Sequence, residues 1–374
     1  MKLFGWKSGR APARPALLRA PYGAVTLGDW PRGYEAQLRS GYVENPVAQR
    51  AVRLVSESAG AAPLIGGDRE VGLSSADSAG QPLIESAAAH LLLHGNAFIQ
   101  ILCDAEGAPA ELFALRSERV TVEPDARGWP AAYLYRAGDK TMRLEAKDGT
   151  GKPGLIHIRA MHPLDDHYGL GALGAAAGAI AIHNAATKWN KALLDNAARP
   201  SGALVYDPGE PGAALSGEQF DRLKAEMEAG FQGAANAGRP MLLEGGLSWQ
   251  AMSLTPADMD FVGLKAAAAR EIALAFGVPP MLLGLPGDNT YANYREANRA
   301  LWRSGVAPLA DKILGGIARG LASWWPDAAL SVDLDQVPAL AEDREKLWAQ
   351  VSAADFLSPD EKRAMLGIEG RSTE

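Results

Sequence analysis

Apolar positions change period several times along this chain, and each change marks a different element. From about Glu44 to Ala62 they recur three and four residues apart, with Val47, Ala51, Leu54 and Val55 on one side, which predicts an amphipathic helix. The Gly-, Ser- and Asp-rich run GGDREVGLSSADSAGQ reads as a loop. PLIESAAAHLLLH predicts a second helix, with Pro82 in its first turn and a stop at Gly95-Asn96. The period then drops to two. AFIQILCD, ELFALR, RVTVEP, AAYLYRA, TMRLEA and GLIHIRA alternate as strands do, separated by Gly, Pro and Asp turns. The block predicts an α+β unit with an antiparallel sheet.

Helical spacing returns at Gly171. ALGAAAGAIAIHNAATKWNKALLDNAARP reads as one helix ending before Pro200, in which Gly174 and Gly178 leave room for a second backbone. Its large residues, Trp189, Leu193 and Leu194, lie only towards the far end. A compact insert follows: GALVYDPGEPG as strand and turn, LSGEQFDRLKAEMEAGF as a helix with a Ser216/Gln219 capping box, and PMLLEGGLSWQAMSL as a hairpin. A second long helix starts at Thr255 as N-cap. It carries a stripe of Phe261, Leu264, Ala268, Ile272 and Ala275, and Gly277, Pro279 and Pro280 stop it. A third runs through YREANRALWRSGVAPLADKILGGIARGLASWW, where Pro308 should bend or split it. A short strand, ALSVDLDQV, and a polar helical hairpin close the chain, the last helix being capped by Ser358, Pro359 and Glu361.

Composition narrows the class. A length of 374 residues implies two or three structural units, and 47% hydrophobic with 22% charged residues is that of a soluble protein with a real core. A formal net charge of -7 argues against tight, non-specific clamping of nucleic acid by the chain as a whole. The single cysteine, Cys103, excludes an internal disulfide, and its strand-like setting predicts a small buried core residue. The basic, Pro- and Ala-rich N-terminus lacks the apolar segment of a secretion signal and predicts a mobile arm. LGALGAAAGAIAI is too short to span a bilayer, so no membrane partner is expected. The chain reads as intracellular, or as part of a particle assembled inside a cell.

Two stretches invite chemistry. LGLPGDNTYAN has the glycines of a phosphate loop, but Gly287 is followed by Asp288 where such a loop needs Lys and Ser or Thr, and it lies between helices. HIRAMHPLDDHYG brings His157, His162, His167, Asp165 and Asp166 close in sequence, all of them metal-ligand types. A metal-dependent hydrolase built on His157, His162, His167 and Asp165 is therefore the alternative function. Its spacing matches neither the His-Glu-x-x-His helix nor a Cys/His structural site, which favours histidines that are hydrogen-bonded or solvated. No G-x-S-x-G nucleophile turn occurs, and no cofactor is predicted. Arg295, Arg299 and Arg303 share one helix face. A solvated or salt-bridged face involving Glu296 is the favoured reading; pairing with a neighbouring subunit or transient phosphate contact are the alternatives.

Taken in order, the segments LLLHGNAFIQI, GLIHIRAMHPLDDHYGLGAL, NAARPSGALV, LSGEQFDRLK, GRPMLLEGGLSW, IALAFGVPPMLLG, TYANYREANRAL and LSPDEKRAMLGI resemble the portal proteins of long-tailed bacteriophages and of phage-derived gene transfer agents. The resemblance runs from about Glu44 to the C-terminus. It implies a non-enzymatic portal fold assembled as a ring, usually of twelve, at one capsid vertex. Double-stranded DNA would be packaged and ejected through its channel. The implied partners are the terminase large subunit, a head-tail adaptor and the major capsid protein, in a virion or phage-like particle assembled in the bacterial cytoplasm.

Mapped onto this chain, the resemblance implies an N-terminal arm and outer segment at 1–43, a mixed α/β wing at 44–171 and a first stem helix at 172–199. A small α/β clip at 200–250, a second stem helix at 251–277 and a tunnel loop at 278–293 follow. A long kinked helix with a returning wing strand at 294–337 and a short helical crown at 338–374 complete it. The channel-lining residues would be Leu285, Gly287, Asp288, Asn289, Thr290, Tyr291 and Asn293, with Gly277, Pro279, Pro280 and Gly284 as hinges.

Overall fold

The computed structural model describes residues 33–195, 202–207, 215–231, 246–251, 261–285 and 290–366. They fall into two compact units, one within Met1–Ala177 and Ala273–Glu374, the other Gly178–Ile272.

The first unit opens with α1 (Tyr34–Leu38), a π-helical turn over Arg39–Val43, and α2 (Pro46–Gly60). The Asn45 side chain caps α2 by accepting from the Val47 and Ala48 amides at 3.1 and 2.9 Å. The buried stripe of α2 is Ala48, Ala51, Val52, Val55 and Ala59, one position away from the expected Val47 and Leu54. After β1 (Leu64–Gly66) the expected loop contains a short helix, α3 (Asp68–Ser74), and a tight pairing of β2 (Asp77–Ser78) with β3 (Gln81–Pro82). Only Ser74 of α3 is buried, so the sequence carries no apolar stripe to announce it. Helix α4 (Leu83–His94) has Pro82 at its N-cap rather than in its first turn, and left-handed Gly95, at φ 81°, ends it.

All six expected strands form: β4 (Asn96–Cys103), β5 (Pro109–Leu115), β6 (Val120–Pro124), β7 (Pro130–Ala137), β8 (Lys140–Glu145) and β9 (Leu155–Arg159). They make two antiparallel sheets rather than one, ordered β5-β4-β9 and β6-β7-β8. Phe98, Leu115, Val122, Tyr133, Leu155 and Tyr168 pack into a single core cluster that draws on both. Cys103 is exposed, not buried: it ends β4, where the register with β5 shifts.

Helix α5 (Ala172–Asp195) leads into the second unit, which also holds β10 (Gly202–Tyr206), α6 (Gly217–Phe231), β11 (Leu247–Ala251) and most of α7 (Phe261–Ala275). Strands β10 and β11 pair antiparallel. Leu247–Ala251, the second half of the expected hairpin, pairs with β10; its first half, 240–245, lies outside the described residues, as does the expected cap Thr255. The α6 capping box forms as expected, Ser216 N–H donating to Gln219 Oε1 at 2.9 Å and Gln219 N–H to Ser216 Oγ at 3.3 Å. Trp189 stacks on Phe261 with ring centroids 5.9 Å apart. Leu264, expected on the buried stripe of α7, is 44% exposed.

Back in the first unit, a 3-10 turn (Pro280–Leu283) precedes α8 (Tyr291–Leu301), a π-helical segment (Trp302–Val306) and α9 (Ala307–Leu321). Where a bend or split was expected at Pro308, the π segment separates α8 from α9. Pro308 sits in the first turn of α9, and the wider π segment accommodates the amide it lacks. Helix α9 packs on β9: a Cβ added at Gly316 would lie 2.7 Å from Ile158, and one at Gly320 2.5 Å from Ile156 Cδ1. Strand β12 (Leu330–Val332) returns to pair with β1, and α10 (Ala341–Ala353) and α11 (Pro359–Met365) follow. The Ser358/Glu361 capping box is present.

Candidate functional site

Between α7 and α8 the backbone is shaped by a few residues of fixed torsion. Gly277 (φ 66°) and Gly284 (φ 73°) both take the left-handed conformation. Pro279 and Pro280 lie between them, Pro280 opening the 3-10 turn. Leu285 is half-buried; Gly287, Asp288 and Asn289 lie outside the described residues. Thr290 caps α8, its Oγ1 accepting from the Asn293 amide at 3.2 Å. Tyr291 is 80% exposed, and with Met281, Thr290 and Tyr294 it lines an open recess of about 270 Å³. The Arg295 guanidinium lies 5.6 Å from the centre of the Tyr291 ring.

The arginine stripe meets carboxylates from the start of α10. Arg295 donates to Glu342 at 2.5 Å. Arg299 donates to Glu342 at 2.6 Å and to Glu296 at 2.9 Å, and its Nε lies 3.7 Å from Asp343. Arg303 lies 3.8 Å from Asp343. The Arg299 side chain is 12% exposed, whereas Arg295 and Arg303 remain 50% and 65% exposed. Glu296 is thus one member of a cluster whose main anions, Glu342 and Asp343, lie more than forty residues on, since Arg295 and Glu342 are 47 apart.

The histidine cluster is taken apart by the fold. His157 Nε2 bonds Asn96 Oδ1 at 2.9 Å, and its ring stacks on Phe98 at 4.2 Å. Burial, aided by Arg159, pushes it down to about 3. His167 Nε2 donates to the Gly128 carbonyl at 2.5 Å. His162 Nδ1 accepts from the Leu164 amide, and Asp165 Oδ1 accepts from the amides of His167 and Tyr168. Among the described residues no three His, Cys, Asp or Glu side chains gather to hold a metal ion. The hydrolase alternative on His157, His162, His167 and Asp165 has no support in this geometry.

What these bonds serve is a junction at Asn96, which is fully buried. Its Oδ1 accepts from the Gly169 amide at 2.8 Å as well as from His157. Because that atom already takes an amide hydrogen it must be the oxygen, so His157 is the Nε2–H tautomer. Asn96 Nδ2 faces the carbonyls of His94 and Gly169 and the Nδ1 of His94. Gly95 and Gly169 cross so closely that a Cβ on Gly169 would overlap the Gly95 carbonyl oxygen. Two of the portal-like segments, LLLHGNAFIQI and the HYGLGAL run, therefore meet at one point and fix where α5 begins. Glu342 and Asp343 carried no motif-level signal, and the LLLHGNAFIQI segment did not show what Asn96 bonds; their partners are too distant in sequence.

Fold and loop together give the class of architecture: an α+β unit whose chain is interrupted by a helical excursion, with a loop entered through Gly277, Pro279 and Pro280 and left through the Thr290 cap. The comparisons agree. The family model described as phage portal protein matches residues 46–367, and the chain belongs to that family. A protein of Rickettsia bellii (strain RML369-C) is 39% identical over 367 residues, covering 92% of each chain. A chain in the neck of a native gene transfer agent (GTA) particle with C12 symmetry is 48% identical, with 92% of this chain and 96% of that one covered and a TM-score of 0.69. An HK97-family phage portal protein from Corynebacterium diphtheriae shares the fold at 18% identity, TM-score 0.58, over 83% of this chain and 100% of that one. The function is that of a portal at a capsid vertex, a structural role without enzymatic chemistry.

Proposed function

We propose that twelve copies of this chain form a ring whose channel passes double-stranded DNA into and out of a GTA-like particle. The 48% identity over nine-tenths of the chain to a neck component of C12 symmetry carries the reading. In it, α5 belongs to the first stem segment, 172–199, and α7 to the second, 251–277. The insert at 200–250 is the clip that docks the terminase large subunit during packaging and a head-tail adaptor afterwards. Residues 278–293 are the tunnel loop, with Gly277, Pro279, Pro280 and Gly284 as its hinges. The wing at 44–171 faces the major capsid protein, the segment at 294–337 supports the channel, and 338–374 is the crown. Leu285, Gly287, Asp288, Asn289, Thr290, Tyr291 and Asn293 touch the duplex weakly and without sequence preference. Assembly takes place in the bacterial cytoplasm.

The exposed Tyr291 at the loop's end supports this assignment, since a residue that touches a passing duplex must be open to it. Electron microscopy of the purified full-length protein tests it. Rings with a central hole and twelve-fold averages are expected; monomers at all concentrations would refute it.

A further inference from the structure

The arginine stripe is the most cationic feature beside the tunnel loop, yet a channel that passes DNA must not grip it. Three guanidinium groups spaced four residues apart span about 12 Å of helix, a run that would meet successive phosphates. In this chain each is met by a carboxylate. Glu342 binds Arg295 and Arg299 together, and Asp343 lies beside Arg299 and Arg303. Arg295 is held a second way, over the ring of Tyr291, so its charge lies against the exposed aromatic at the loop's end.

We propose that Glu342 and Asp343 are a charge mask: they neutralise Arg295, Arg299 and Arg303 so that α8 and the π segment after it do not retain the duplex moving past them. Arg295 and Arg303 remain half or more exposed, so they reach a polyanion as soon as the mask is removed. The carboxylates come from α10, the first helix of the C-terminal hairpin, which ties the mask to that hairpin's seating on α8. The inference rests on the ring and channel reading above.

The test uses rings of the full chain and a short fluorescent duplex, with affinity measured by anisotropy at two or more salt concentrations. Glu342→Gln/Asp343→Asn is expected to bind at least roughly tenfold tighter than wild type at low salt. Its salt dependence should be steeper by about two, one for each exposed arginine. Adding Arg295→Gln and Arg303→Gln to that variant should return affinity and slope to the wild-type values. Glu342→Gln alone leaves Asp343 in place and should give a rise of about threefold, which keeps the test decisive should the double variant fail to assemble. Rings with unchanged affinity overturn the mask. So does a rise that the arginine substitutions do not reverse, because the duplex would then be held elsewhere. Wild-type protein that forms no rings overturns the underlying channel reading instead.

Discussion

Replacing Asn96 with alanine should cost the first unit about 3–5 kcal/mol. The Asn96 side chain is completely buried and joins three stretches of chain: the end of α4, the strand β9 and the segment entering α5. Alanine leaves the Gly169 amide and His157 Nε2–H without their acceptor, each a loss of about 1–3 kcal/mol when buried. The longer bonds from Nδ2 to the carbonyls of His94 and Gly169, at 3.2 and 3.3 Å, add less. Against a typical net stability of about 5–15 kcal/mol this is a large fraction. Urea unfolding followed by circular dichroism measures it. With a slope of about 2–3 kcal/mol per molar, the midpoint of the transition should fall by roughly 1–2 M. A loss under about 1 kcal/mol would refute the junction, because it would mean that water or a neighbouring group satisfies the orphaned donors.

Three further outcomes follow from the same structure. Gly169→Ala should destabilise the first unit more than Gly174→Ala does, since the added Cβ meets the Gly95 backbone at one site and nothing within 4 Å at the other; thermal melts of both variants compare them. Burial pushes His90 and His94 down to about 4 and His157 to about 3, from 6.5. The folded state thus binds fewer protons than the unfolded chain. Stability is full above pH 6.5 and falls as pH drops towards 4, by up to about 1.4 kcal/mol per pH unit for each histidine. Urea midpoints from pH 7 to 4.5 check this, and a flat profile would count against neutral buried rings. Finally, replacing Pro279-Pro280 with flexible residues should leave ring assembly intact and reduce DNA filling of particles; normal filling would remove the loop from gating.

Elements whose cause is local were readable before any coordinates. Gly95 ends α4, Ser216/Gln219 and Ser358/Glu361 cap their helices, and all six alternating segments became strands. The errors have one physical source, which is that burial depends on what lies opposite. Leu264 has the right spacing on α7 and stays 44% exposed, while small Ala48 and Ala51 are buried on α2. Cys103 belongs to a good strand but sits where its ladder breaks. The candidate site was legible in part: its shared arginine face follows from spacing alone. Its anions did not, because Glu342 reaches Arg295 across 47 residues, and Asn96 reaches His157 and Gly169 across 61 and 73. A sequence window sees neither.

A helix is a screw, and the π segment Trp302–Val306 sets its phase. Each residue inserted into an α-helix turns everything beyond it by about 100°. The wider turn holds one residue more than its α equivalent, so the arginine face of α8 and the glycine face of α9 are out of step by that residue. The direction in which α8 aims its cations relative to the sheet is therefore an angle written in residue count. Insertions or deletions between Arg299 and Gly316 that preserve both faces must come in whole turns.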